Sequence, residues 1–249
     1  MYLHDLMVCF LFSASPFTNR IENTRQLVLS ETDRSLFVET RAYNKIISTL
    51  SEKHYVVIKG NPGDGKTTLA YHAMRRLINN QNKKPLQLFN YNEWTEFVIP
   101  DANLAIFIDN LFGEHTVSFD NVTHWSQRFP MIKASVSGGQ HSTYVIICIR
   151  NDIYNQCQEM IYNEFLNSAM VNISQGTEFE LDRNEMESIF FKYIPESKQV
   201  LSQAQLTNLL NDVPKLGFLN VVIFTKILQS SRKKVSNFLD NHYIFWNRN

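Results

Sequence analysis

Cysteine is scarce: Cys9, Cys148 and Cys157 are the three in 249 residues. They stand at no metal-ligand spacing and cannot build a disulfide framework, which argues against a cysteine-stapled secreted scaffold. The seven histidines contain no H-x3-H pair, so a zinc site is not expected either. No charge of one sign dominates. Lysine plus arginine and aspartate plus glutamate both number 24, for a net charge of zero. That removes the global basic footprint of a dedicated nucleic-acid binder. Residues 6–14 (LMVCFLFSA) are apolar but far short of the about 20 residues a membrane span needs. Asp5 precedes them and no lysine or arginine does, so a secretion signal is not expected. A cytoplasmic, reducing setting fits best. There is no internal repeat and no low-complexity tract.

What is present is an ordinary packed composition, 44% hydrophobic and 19% charged, long enough for one α/β domain plus a small helical appendage. Residues 1–33 show no clear period. Residues 43–50 carry apolar side chains at 43, 46, 47 and 50, a helical spacing. Residues 55–58 (YVVI) form a short β-branched run suited to a buried parallel strand. Helix is expected over 67–78, then strands at 86–89 and 104–108. Helix over 117–135, with a turn near Pro130, precedes a fourth strand at 144–149. Residues 152–167 read as helix and 177–181 as a fifth strand. Strands alternating with helices predict a parallel sheet covered on both faces. After residue 182 the strands cease, and 183–193, 202–210, 218–228 and 233–242 read as helices. The expected division is an N-terminal adapter over 1–35, an α/β domain over 36–181 and a helical subdomain over 182–249.

The sharpest signal is Gly60-Asn61-Pro62-Gly63-Asp64-Gly65-Lys66-Thr67, a full match to G-x4-G-K-[ST] between an apolar strand and a helix. Its glycines permit the positive-φ path that turns successive backbone N–H groups toward phosphate oxygens. The following helix points its positive end at the same anion. In that pattern Lys66 reaches the β- and γ-phosphates, Thr67 completes a magnesium shell, and Thr68 contacts the α-phosphate. A nucleoside triphosphate with Mg2+ is therefore the expected ligand. No guanine-reading Asn/Thr-Lys-x-Asp motif is visible, which favours ATP.

Asp109 ends the apolar run Leu104–Ile108, placing a carboxylate at the rim where open α/β sheets bind ligands. There it can hold magnesium through water, or simply cap a turn. Asn110 follows it. Hydrolytic proteins with such a P-loop often have a second acid at that position, and an amide can orient water but not accept its proton. Arg150 ends the fourth strand, where it could touch a γ-phosphate or pair with Asp152. Trp94 and Trp125 are expected in the core.

Taken in order, Phe37-Val38-Glu39-Thr40, Tyr43, the strand and phosphate loop, LAIFIDN with Phe112-Gly113, Trp125 and the arginine-terminated fourth strand resemble the STAND class of signalling ATPases. The nearest likeness is to novel STAND NTPase family three, over about residues 36–230. The resemblance implies an AAA-like core with a helical lid that works as a nucleotide-dependent switch. It assigns phosphate binding to residues 60–68, magnesium to Thr67 and Asp109, and the sensor to Arg150. Members commonly read T-S-R where this chain has Cys148-Ile149-Arg150. Val38 and Tyr43 would line the adenine pocket, and Gly217 would lie in the lid. There the family's G-x-P motif is met by Gly217-Phe218-Leu219, with leucine in place of proline. Slow ATP hydrolysis is the leading expectation, and protein partners or self-association go with a switch. A scaffold that binds ATP without cleaving it is the alternative that Asn110 and Leu219 favour. A small-molecule kinase shares the loop but would need an acceptor site with a general base and a lid arginine; no acceptor pattern is visible, though Arg183 could be argued.

Overall fold

The computed structural model describes residues 15–32, 36–99, 101–137, 143–158 and 164–195. Five parallel strands form its sheet: β1 (Tyr55–Gly60), β2 (Lys84–Leu88), β3 (Leu104–Ile108), β4 (Tyr144–Arg150) and β5 (Met170–Asn172). Their spatial order is β2-β3-β4-β1-β5. The helices are α1 (Pro16–Thr32), α2 (Arg41–Lys53), α3 (Lys66–Gln81), α4 (Asn92–Phe97), α5 (Phe119–Val136), α6 (Asn151–Cys157), α7 (Glu164–Ser168) and α8 (Arg183–Tyr193).

Period-two alternation divides the strands between two cores. Val56, Ile58, Ala105, Phe107, Ile146 and Cys148 face one side, where Ile46 of α2 and Met74 of α3 cover them. Val57, Leu86, Leu88, Ile106, Val145 and Ile147 face the other, against Trp94 of α4 and Trp125 and Phe129 of α5. Both tryptophans are buried, as their size favours. Both faces being covered explains why the strands read as continuous apolar runs and not as alternating ones.

Local chemistry sets the helix ends. Thr40 caps α2 by accepting from the Tyr43 amide at 3.2 Å, and His54 closes it in the left-handed region at φ 61°. Asp182 and Glu185 form a reciprocal capping box at the start of α8.

Four local expectations are corrected. Helix α1 lies within the span that showed no period. Its buried stripe is Thr24, Val28 and Thr32, and two threonines in three positions leave little hydrophobic signal. The α5 helix runs through Pro130 without a turn, because Phe129 and Ile132 on either side are anchored in the core. The proline forfeits one helical hydrogen bond and stays exposed. The span 152–167 holds two helices, α6 and α7, and not one. The fifth strand is Met170–Asn172, not 177–181. In 177–181 the alternating Thr177, Phe179 and Leu181 mimic a strand, but backbone groups there are taken elsewhere. The Glu178 and Glu180 carbonyls accept from Arg41, and the Gly176 amide donates to the Glu180 carboxylate.

The expected helix at 183–193 is α8. The helices expected beyond residue 196, with Gly217, and the apolar run at 6–14 lie outside the described residues. Among the described residues no helix is long and apolar enough to cross a membrane. Helix α1 packs onto the sheet: Thr24 Oγ1 accepts from the Gln87 amide at 3.1 Å, and Arg75 Nη1 donates to the Thr32 carbonyl at 2.6 Å.

Candidate functional site

Strand β1 ends at Gly60, where a Cβ would lie 2.8 Å from Ile173 Cγ1, so only glycine fits without displacing the Ile173 side chain just after β5. The chain then turns through Gly63 (φ 84°) and Gly65 (φ 93°), conformations open to glycine at no steric cost. Asp64 braces the turn from within: its Oδ2 accepts from the Asn61 amide at 2.6 Å. Pro62 sits exposed at the tip. Helix α3 starts directly after Gly65, with no side chain capping its first amides. Those amides and the end of the helix dipole therefore point to the hollow of the loop, a ready anion site.

Lys66 is buried at 7% exposure, and its ammonium donates to the Asn61 carbonyl at 2.9 Å. Burial lowers its pKa, and Cys148, Asp64 and Asp109 around it pull the other way. Thr67 Oγ1 donates to Asp109 Oδ2 at 3.1 Å, while Asp109 Oδ1 accepts from the Asn110 amide at 3.0 Å. Burial raises the Asp109 carboxyl above the usual range; the bond from Thr67 opposes the shift. Burial does the same to Asp64, opposed first by the Asn61 amide. Asn110 occupies the left-handed region at φ 51°, which bends the chain sharply off the end of β3.

Arg150 is in register with Gly60 on the neighbouring strand. Its guanidinium forks onto Asp152, Nε to Oδ1 at 3.0 Å and Nη2 to Oδ2 at 2.7 Å, and Nη1 donates to the Glu114 carbonyl at 2.5 Å. That pair raises the Arg150 pKa further and lowers that of Asp152. Lys66, Thr67, Asp109, Asn110 and Arg150 thus gather at the C-terminal rim of three adjacent strands, while Arg150 is engaged by its neighbour.

Beside the loop opens a cleft that is continuous with solvent. Asp64, Gly65 and Thr68 form its floor, and Phe37 and Val38 one side. The facing wall is Phe179, Leu181, Ile189 and Tyr193. Tyr43 does not line it. That ring is buried behind Phe37, edge-on at 4.9 Å between centroids, and burial raises its phenol pKa. The far wall escaped sequence reading, because the Phe179–Leu181 alternation that marks it resembles a strand. The internal brace by Asp64 carries no sequence signal at all.

Among the described residues no group of three or more His, Cys, Asp or Glu could by itself hold a metal ion. The Thr67 hydroxyl beside the Asp109 carboxylate nevertheless suits a cation that takes few protein ligands and keeps its water, as magnesium does.

A five-stranded parallel sheet with this loop at the end of its β1 strand, flanked by helices, defines an AAA-like P-loop nucleotide-binding module. The model of the family Novel STAND NTPase 3 matches residues 37–196, and the chain belongs to that family. The chain is similar in structure to AMPPCP-bound DnaA from Aquifex aeolicus, at 14% identity and a TM-score of 0.50, covering 77% of this chain and 62% of that one. It is also similar to NtrX from Brucella abortus in complex with ADP, at 13% identity and a TM-score of 0.48, covering 85% of this chain and 56% of that one. The chain therefore spans less than two thirds of the length of these structures. No curated protein matches it.

Proposed function

We propose that the chain is an ATP-binding switch of the STAND type, working in the cytoplasm and passing its nucleotide state to a protein partner or a second copy. The observation that carries this reading is the loop itself. Positive-φ glycines and an uncapped helix start aim main-chain amides at one point, with a buried lysine ammonium beside it. The adjoining cleft starts at Gly65 and Thr68 and is walled by apolar side chains, which suits a base joined to the phosphates in the loop.

In this reading Gly60 to Thr68 cradle the triphosphate and Lys66 leaves the Asn61 carbonyl for the β- and γ-oxygens. Thr67 and Asp109 hold Mg2+, whose charge offsets that of the phosphates. Val38 lines the base side of the cleft, and Tyr43 supports it through Phe37. Arg150 meets the γ-phosphate by giving up Asp152. The lid, including Gly217, closes over the nucleotide and shifts the population of open and closed forms.

A second reading, a scaffold that keeps ATP uncleaved, is favoured by Asn110. The carboxamide side chain that follows Asp109 in sequence can orient a water but cannot accept its proton. Calorimetric titration of the purified chain with ATP, ADP and GTP in magnesium, repeated on Lys66→Ala, tests binding. Binding of ATP that Lys66→Ala abolishes is expected. A folded wild type that ignores all three at millimolar concentration overturns the proposal. Single-turnover hydrolysis by wild type, Lys66→Ala and Asn110→Asp separates the switch from the scaffold: a wild-type rate equal to that of Lys66→Ala selects the scaffold.

A further inference from the structure

The far wall of the cleft belongs to a segment, 177–193, that follows the sheet. It is held against the N-terminal side of the cleft by one side chain above all others. Arg41, the first residue of α2, lies between the cleft-lining residues Thr40 and Ala42. Its Nη1 donates to the Glu178 carbonyl at 3.3 Å and its Nη2 to the Glu180 carbonyl at 2.7 Å. Its Nε lies 3.2 Å from Asp182 Oδ2 and its Nη2 3.5 Å from Glu185 Oε2. The backbone amide of Arg41 also donates to Glu185 Oε1 at 2.6 Å, so a carboxylate from α8 satisfies the first amide of α2. The residues Arg41 grips alternate with the ones that face the cleft: Phe179 and Leu181 sit between Glu178, Glu180 and Asp182. Lys192 adds a second tie from α8, donating to the Phe37 carbonyl at 2.7 Å.

We propose that Arg41 is a positioning residue: a clasp that keeps the outer wall of the base-binding cleft closed and sets nucleotide affinity through the base, not through the phosphates. This rests on the nucleotide reading above. The planar fork matters, because one guanidinium serves two carbonyls and two carboxylates at once, which a lysine ammonium cannot reproduce in geometry. The side chain is half exposed, so each ion pair contributes little alone, and the effect comes from the network that orders the wall. A ligand that meets an already ordered wall does not bear the cost of ordering it, and its apparent affinity rises with the fraction of closed wall.

The test uses the full chain and two ligands, magnesium ATP and magnesium tripolyphosphate, which share the phosphates and differ in the base. Arg41→Ala is expected to weaken ATP about tenfold, the scale of one lost charge-assisted hydrogen bond, and to leave tripolyphosphate within about twofold. Hydrogen exchange over 177–189 in the ligand-free variant should quicken. Arg41→Lys should fall between, and it carries the same comparison if the alanine variant does not fold. Equal losses for both ligands, or no loss for either, overturn the clasp and leave the nucleotide reading standing. A wild type that binds neither ligand overturns both. A wild type that binds tripolyphosphate no more weakly than ATP removes the base cleft and the clasp, but keeps the phosphate loop.

Discussion

Mild acid should weaken this fold through one imidazole. His72 of α3 lies flat against Phe37, 3.6 Å between ring centroids and 13° between planes. Burial, helped by the nearby Arg75, lowers its pKa from 6.5 to about 4. The folded chain therefore resists a proton that the unfolded chain accepts readily. The stability this gives is complete above pH 6.5 and is lost as pH falls toward 4. With those two values the loss between pH 7 and pH 5 is about 2 kcal/mol, or roughly 4–8 °C in Tm for a chain of this length. Urea unfolding at the two pH values, on wild type and on His72→Phe, isolates it. The phenylalanine keeps the stack and cannot titrate, so carboxylates such as Asp64 and Asp109 contribute equally to both proteins. The wild type should lose about 2 kcal/mol more than the variant on going to pH 5. Parallel losses in the two proteins would refute the assignment.

Other perturbations act on the backbone and the site. At Gly113 (φ 133°) an added Cβ would meet the Thr116 carbonyl oxygen at 2.1 Å, so Gly113→Ala should cost about 3 kcal/mol or more in urea unfolding. Asp109→Asn should split stability from function. Burial raises the carboxyl's pKa, so its ionisation at neutral pH opposes folding; the free protein should gain stability while magnesium-dependent nucleotide binding is lost. Thermal shifts with and without magnesium ATP read both effects, and an unchanged magnesium dependence would remove Asp109 from the site.

The sheet and the phosphate loop were legible because their signals are local. Apolar runs of four to six residues ahead of Gly60, Asp109 and Arg150 mark strand ends, and G-x4-G-K-T has one low-energy path between a strand and a helix. The features that went unread depend on partners distant in sequence. Helix α1 buries threonines that hydrophobic periodicity does not count. The turn at 177–181 owes its shape to Arg41, more than a hundred residues earlier. Val38 and Tyr43 stand close in sequence, yet only Val38 reaches the cleft, since Tyr43 sits on the inner face of α2. That Arg150 is held by Asp152 is a matter of rotamer, on which the sequence left two readings open.

The outermost strand of the sheet has its own guard. Among the described residues β2 has β3 on one side and no strand on the other, and a bare strand border invites a second chain to add itself. Helix α1 lies along that border, and the Thr24 hydroxyl takes the Gln87 amide that an intruding strand would otherwise capture. A chain trimmed to begin at residue 36 would keep every group at the phosphate loop and still be a poor protein to handle. Its uncovered border should drive it into aggregates, and a Thr24→Val chain should show a milder version of the same behaviour.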